Sequence, residues 1–410
     1  MSLERGNAPG DPSAGDSRAA PPASPDRAAT GTARAAGAPL AIRSVEPIAL
    51  EIPLGRTVAN PILAFSSHVA LLVRVLDADG VEGWGEVWCN FPRFGLAHRA
   101  RIVAEVLAPL VTGRTYATPE DAYAAMTAAT RLLRVQSGEP GPVSSAIAGI
   151  DIALHDIAGK RAGLPLWRML GGASGAVAVY ASIGRADDAR TAVERGLERG
   201  LRAFKLRSAG TIDAHLAAVR PIRAITGDDV ELMLDVNGSW PEDDALAHLA
   251  RLDALGLAWL EEPVPADTPA GTWSRLAAAT VTPLAGGENL VGPAAFDEAL
   301  ALGALAVLQP DLTKWGGLSA GLPLARRIVA SGRRYCPHAF SGAIGLVASA
   351  HLLAASGSAD GMVELGVGSH PARDAVLDGN WQRPRIELGV APGLGIEVDQ
   401  RRLDTFRRAV

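Results

Sequence analysis

Residues Val230–Val264 read VELMLDVNGSWPEDDALAHLARLDALGLAWLEEPV. The stretch holds a short apolar run ending in Asp235, an Ala/Leu-rich helical pattern around Asp244 to Leu255, and a second apolar run ending in Glu261. This is one strand–helix–strand unit. Working outward, the same unit recurs. Further strands are read at AVAVYAS (176–182), RAFKLR (202–207), TPLAGGE (282–288), LAVLQPD (305–311), RRYCPHA (333–339) and GMVELG (361–366), with helical patterns such as IDAHLAAVRPIRAIT (212–226) between them. Eight strands alternating with helices close a parallel barrel more naturally than they make an open sheet, and a barrel gathers its working groups at the C-terminal ends of its strands.

The region before Leu170-Gly-Gly172 has a different grammar. IRSVEPIALEIPL (42–54) and HVALLVRVLDADGVEGWGEVW (68–88) alternate apolar and polar residues about a turn at Asp77–Gly80, which predicts an antiparallel meander. The stretches HRARIVAEVLAPLV (98–111), PEDAYAAMTAATRLLR (119–134) and SSAIAGIDIALHDIAGKRAG (144–163) place apolar residues at helical spacing. The resulting expectation is an α/β fold. Residues 1–38, rich in Ala, Pro, Gly, Ser and Asp, form a disordered extension; 39–172 form an α+β capping domain; 173–378 form the barrel; and 379–410 pack back on the first domain.

The 410-residue chain is 48% apolar with a formal net charge of −5. It contains no apolar run of the ~20 residues a membrane helix needs and no block of Lys or Arg suited to a phosphate backbone, so neither membrane nor nucleic acid is an expected partner. The N-terminal stretch lacks the apolar segment of a secretory leader, and Cys89 and Cys336 make neither metal-type spacing nor a disulfide framework. A cytoplasmic protein with two reduced thiols is expected.

Lys205, Asp235, Glu261, Glu288, Asp311, His338 and Glu364 fall roughly every 25 residues, each at the end of a strand run. Neighbouring parallel strands converge the oxygens of Asp235, Glu261 and Glu288, a hard ligand set that suits Mg²⁺ better than zinc. Any one of them alone reads equally well as a helix cap or a surface carboxylate. Asp311 and His338 occupy the next two strand ends, where a carboxylate on one imidazole nitrogen leaves the other to take or give a proton. Lys205 and Arg207 in FKLR point to the same side of the barrel wall. Lys205 binds a substrate carboxylate or, with a lowered pKa, acts as a base, whereas Arg207 stays protonated. Glu364 is either a protonated hydrogen-bond donor or a passive charge partner. Such a set suits removal of a proton α to a carboxylate, with the dianionic enediolate stabilised electrostatically.

On these motifs the chain resembles the enolase superfamily, and within it the mandelate racemase group. AIAGIDIALHDIAGKRAGLPLWRMLGG (146–172), LDVNGSW (234–240), WLEEPV (259–264), GGENL (286–290), QPDLTKWGG (309–317), PHAFSGAIGL (337–346) and APGLGIEVD (391–399) are similar to the family's successive signatures, from about residue 41 to the C-terminus. The resemblance implies a capping domain over a (β/α)7β barrel, Mg²⁺ on Asp235, Glu261 and Glu288, and a His338–Asp311 dyad as base and acid. It also implies Asn237 near the substrate, Glu364 facing the metal-bound carboxylate, and a homo-oligomer, since relatives commonly form dimers or octamers. Cap loops near 55–65 and 88–95 would close over a small carboxylate substrate. Their Arg56, Asn60, His68, Trp88 and Arg93 suit a hydroxylated acid, though ordinary loop polarity accounts for them as well. Arg207 stands where the family's racemases carry a second lysine, which disfavours two-base racemisation. SHPARDAVL (369–377) looks like a region of sugar-acid members. The expectation is an acid-sugar dehydratase, with a racemase, epimerase or lactone cycloisomerase as alternative, and a catalytically silent carboxylate-binding relative as a second.

Overall fold

The computed structural model describes residues 39–59, 64–92, 94–184, 189–208, 210–340, 342–367, 373–374 and 383–409. Its first sheet is antiparallel, in the order β3-β2-β1-β4, with β1 at Leu40–Ala59, β2 at Ala64–Asp77, β3 at Glu82–Val87 and β4 at Thr115–Tyr116. Alternation gives this sheet two buried faces. Ile48, Leu50, Ile52, Ala70 and Leu72 belong to the large core that continues into the barrel. Leu71, Val73, Val75 and Val87 join a second core closed by helices of the first region. The stretch expected as a loop from Gly55 is strand as far as Ala59, with a register shift between Pro53 and Val58. A period-2 pattern broken by such a shift does not read as one strand.

The helix Pro140–Ala162 packs against β3 at very short range. A Cβ built on Gly85 would lie 1.8 Å from the Gly149 carbonyl oxygen, so the GWGE strand needs glycine there for the backbones to meet.

The second sheet runs β11-β10-β9-β8-β7-β6-β5-β12, all parallel. Its strands are β5 Ala176–Ile183, β6 Ala203–Arg207, β7 Glu231–Asp235, β8 Trp259–Glu261, β9 Leu284–Gly286, β10 Val307–Leu308, β11 Arg334–Tyr335 and β12 Met362–Gly366. The Glu364 amide donates to the Pro337 carbonyl at 3.4 Å, which brings β12 beside the end of β11 and nearly closes the ring. Tyr180, Ala203, Met233, Trp259, Ala285, Val307, Cys336 and Met362 form a separate buried cluster, with one residue from each strand or its immediate end. That layer is the barrel's plug. Both cysteines are buried and unpaired, and burial pushes each thiol up to about 12, leaving them inert packing groups.

The closing segment does more than return to the cap. Arg385–Glu387 (β13) pairs antiparallel with β5 of the barrel. Beyond it Arg407 bridges Leu50 in the cap sheet. Among the described residues no helix is long and apolar enough to cross a membrane.

Candidate active site

Two residues beyond the plug, the strand period brings the same faces inward again. From Ala203, Met233, Trp259, Cys336 and Met362 this step reaches Lys205, Asp235, Glu261, His338 and Glu364. The predicted polar ring is therefore the next layer of the barrel interior. Asp235 and Glu261 are directly opposite each other in register, as are Arg207 and Asp235.

Two strands depart from the rule. On β9 the step from Ala285 reaches Gly287, held at φ +122°, and Glu288 follows it outside the strand. On β10 the step from Val307 reaches Gln309, whose Nε2 donates to Glu261 Oε2 at 2.7 Å, and Asp311 lies a further two residues on.

Asp311 and His338 do meet: His338 Nδ1 lies 2.7 Å from Asp311 Oδ2. The other Asp311 oxygen accepts from the Thr313 amide at 2.7 Å and the Thr313 hydroxyl at 2.6 Å, which fixes the carboxylate toward the ring. His338 Nε2 faces Glu288 at 3.1 Å and Glu364 at 3.8 Å. Burial lowers the imidazole's basicity, but Glu288, Glu364 and Asp311 outweigh it and hold the pKa above its ordinary value.

Lys205 is fully buried, 2.5 Å from Glu261, 3.1 Å from Glu364 and 3.8 Å from Asp235. Burial opposes its charge, yet Glu261, Glu364 and Asp235 raise its pKa, which favours the ammonium form. Arg207 lies 3.1 Å from Glu364 and 3.5 Å from Asp235, with its guanidinium 4.6 Å from the Phe340 ring centre. Glu364 is held below the usual carboxylate range: burial raises it, but Lys205, His338 and Arg207 prevail. In this arrangement it is paired with Lys205 and Arg207. Asn237, at φ +48°, donates from Nδ2 to Asp235 Oδ2 at 3.1 Å.

Among the described residues no three His, Cys, Asp or Glu groups stand together as a ready-made metal site. The three predicted ligands are instead drawn onto cations. Glu261 is on Lys205, while Glu288 lies 3.2 Å from Lys314 and is held down at about 2; burial works against this, but His338 and Lys314 outweigh it. Asp235 is pushed up to about 7 by burial and by neighbouring Glu261. Glu262, at φ +42°, is pushed up to about 8 by burial, Glu288 and Asp235. The charge balance fits a hard dication. Among the described residues, six carboxylates (Asp235, Glu261, Glu262, Glu288, Asp311 and Glu364) face three permanent cations (Lys205, Arg207 and Lys314) and one imidazole. Uncompensated buried carboxylates titrate upward, as Asp235 and Glu262 do, unless a cation joins them.

Part of this ring opens into a cavity of about 380 Å³, lined from the barrel by Arg207, Asn237, Glu288, Lys314 and His338 and from the cap by Glu51, Ser67, His68 and Trp88. Trp88 carries Lys314 Nζ at 4.7 Å and the Arg99 guanidinium at 5.1 Å from its ring centre. The Arg56 side chain, Asn60 and Arg93 lie outside the described residues. Lys314, Gln309, Glu262 and the cap's Glu86 were not anticipated from sequence. Gln309 was within reach, since a strict count of two from Val307 lands on it.

Residues 187–402 match the enolase C-terminal domain-like family, and residues 57–171 the mandelate racemase / muconate lactonizing enzyme N-terminal domain. The chain belongs to the enolase superfamily. Among its superfamily relatives, a D-galactonate dehydratase of Verminephrobacter eiseniae is 33% identical over 351 residues, covering 80% of this chain and 89% of the relative. A D-galactarolactone cycloisomerase of Agrobacterium fabrum is 28% identical over 383 residues, covering 89% and 98%. A mandelate racemase/muconate lactonizing enzyme structure from Bordetella bronchiseptica is 44% identical with a TM-score of 0.83, covering 90% of this chain and 99% of that one. A Bradyrhizobium enolase structure, 29% identical with a TM-score of 0.79 and covering 90% and 99%, is complexed with magnesium and mandelic acid.

Proposed function

We propose that this protein is a Mg²⁺-dependent lyase that removes water from a polyhydroxy sugar acid. The observation that carries the reading is the His338–Asp311 pair at 2.7 Å, with His338 lining a cavity that Arg207 also lines and Lys205 buried beside Glu364 at 3.1 Å. Kinship with D-galactonate dehydratases supports it.

The residues divide the work. Asp311 orients His338 and favours its protonated form, so Nε2 takes the α-proton and then, as imidazolium, returns a proton to the departing β-hydroxyl. Lys205 and Arg207 place positive charge where the substrate carboxylate gains electron density, and Asn237 offers an amide beside Asp235. Bound at Asp235, Glu261 and Glu288, Mg²⁺ supplies Lewis-acid stabilisation of the carboxylate oxygens. Loss of the α-proton and the β-hydroxyl gives an enol, which ketonises to a 2-keto-3-deoxy acid. Arg207 favours chemistry from one face, because its guanidinium is held charged: burial opposes this, but Glu364 and Asp235 raise its pKa further.

A screen of aldonic and aldaric acids with semicarbazide detection tests the proposal. Product from at least one acid is expected; no turnover across a broad library by metal-loaded protein overturns it. A second reading, an epimerase or cycloisomerase, rests on the cycloisomerase relative. Incubation in D₂O separates the two, since a one-base dehydratase incorporates deuterium with a single stereochemical outcome and releases water.

A further inference from the structure

The cap end of the cavity has its own construction. Glu51 on β1 and Ser67 on β2 are diagonal neighbours across the antiparallel pair, where Pro53 opposes Ser67 and Glu51 opposes Val69. Ser67 Oγ donates to Glu51 Oε1 at 2.8 Å. On the other edge of β1 the C-terminal tail runs as a short antiparallel partner: the Glu51 amide donates to the Phe406 carbonyl at 3.0 Å, and the Arg408 amide to the Ala49 carbonyl at 2.9 Å. This places the Arg408 guanidinium 2.5 Å from Glu51 Oε2. Both oxygens of one carboxylate are thus oriented, one by a hydroxyl and one by a cation. Glu51, Ser67, His68 and Arg408 all line the same cavity as His338 and Arg207.

We propose that Glu51, Ser67 and Arg408 form a subsite for the hydroxylated tail of the substrate, selecting an acid with one carboxylate over the corresponding diacid. The inference rests on the sugar-acid reading above. An ionised carboxylate has about four acceptor positions and a guanidinium five donors. One bond to Ser67 and one to Arg408 leave acceptors and donors side by side, the pattern that vicinal hydroxyls match. A second substrate carboxylate arriving here meets the negative Glu51, whose cation partner Arg408 is already engaged, and among the described lining residues it would shed its water for no unpaired cation in return. His68 adds little positive charge, because burial and the nearby Arg373 lower its basicity. The opposite end of the cavity, with Arg207, Lys314 and His338, is where the single carboxylate belongs.

The test uses the Mg²⁺-loaded full chain and pairs of six-carbon aldonic and aldaric acids of matched configuration. Titration calorimetry reads binding, and semicarbazide reads turnover. The preferred aldonic acid is expected to bind at least about tenfold more tightly than its diacid partner, the order of discrimination that one built polar contact provides. Glu51→Gln is expected to raise the dissociation constant and KM for the monoacid about tenfold with kcat within about threefold, and Glu51→Lys to move the preference toward the diacid. Equal or tighter binding of the diacid by the unmutated protein, or an unchanged monoacid dissociation constant in Glu51→Gln, overturns the subsite whatever the turnover. Selective binding of the monoacid with no water lost from any acid upholds the subsite and removes the dehydratase reading instead.

Discussion

Glu86 on the cap strand β3 accepts a hydrogen bond from the Gly345 amide at 2.8 Å, joining the cap to the first turn of the helix Ala343–Ser356 that follows the His338 loop. Its other oxygen accepts from the Gly342 amide, and nearby Asn90 donates to the Phe340 carbonyl at 2.9 Å. Burial pushes the Glu86 carboxyl up to about 7 against the pull of these amides. The loop that carries His338 is therefore held partly from the cap. Glu86→Ala is expected to cut kcat about tenfold with KM within about threefold, while costing roughly 1–3 kcal/mol of stability for the orphaned amides. Glu86→Gln should recover part of both. Kinetics that leave kcat untouched in the alanine variant would show that the His338 loop needs no such support.

His338→Asn removes the proposed proton acceptor and should lower α-proton exchange by roughly 10²–10⁴-fold. Mg²⁺ affinity, read by calorimetry, should persist. Exchange at the unmutated rate would move the base elsewhere.

Arg207→Lys replaces a group that stays charged with one able to lose its proton. Deuterium incorporation from the opposite face should appear in D₂O, followed by NMR of recovered substrate. Unaltered stereochemistry would show that position 207 does not gate the second face.

Chelation should abolish turnover, and Mg²⁺ should restore it. Because the carboxylates outnumber their cations, the ion should also stabilise the fold by about 2.7 kcal/mol at a hundred times its Kd. Asp235→Asn should weaken that thermal shift. An equal shift in the variant would take Asp235 out of the ligand set.

Stability should also fall in acid for a local reason. His351 is buried between the Trp167 amide, which donates to its Nδ1 at 2.9 Å, and the Leu394 carbonyl at 3.1 Å from Nε2. Burial lowers its pKa to about 4 from an ordinary 6.5. The unfolded chain therefore binds this proton first, and stability is lost as pH drops from 6.5 to 4, by about 3 kcal/mol in all. Denaturant titrations should show this slope removed in His351→Gln. A parallel pH profile in both proteins would refute the assignment.

Much of this was legible in the chain because a barrel repeats its grammar. Asp235, Glu261, His338 and Glu364 each close an apolar run, and counting by two from the plug places their side chains inward. Glu288 and Asp311 sit past the strand ends, where loop geometry decides direction and pattern gives only proximity. Lys314 and Glu86 could not be assigned from sequence. One acts from a turn after Asp311 and the other from the opposite region of the chain, and contacts between distant segments leave no local period. The pairing of Arg408 with Glu51 is hidden for the same reason.

Three buried carboxylates tie the cap to the barrel and its closing segment. Asp151 accepts from the Leu318 amide at 2.7 Å, Asp156 from the amides of Trp84 at 3.0 Å and Leu394 at 2.8 Å, and Glu86 from Gly345. The bonds from Leu318, Leu394 and Gly345 are satisfied only while both sides are folded, so loosening either side strands polar groups away from water. The cap of this molecule is consequently no transplantable cartridge: one borrowed from a cousin would have to bring its own acidic rivets, and melting should proceed as one event.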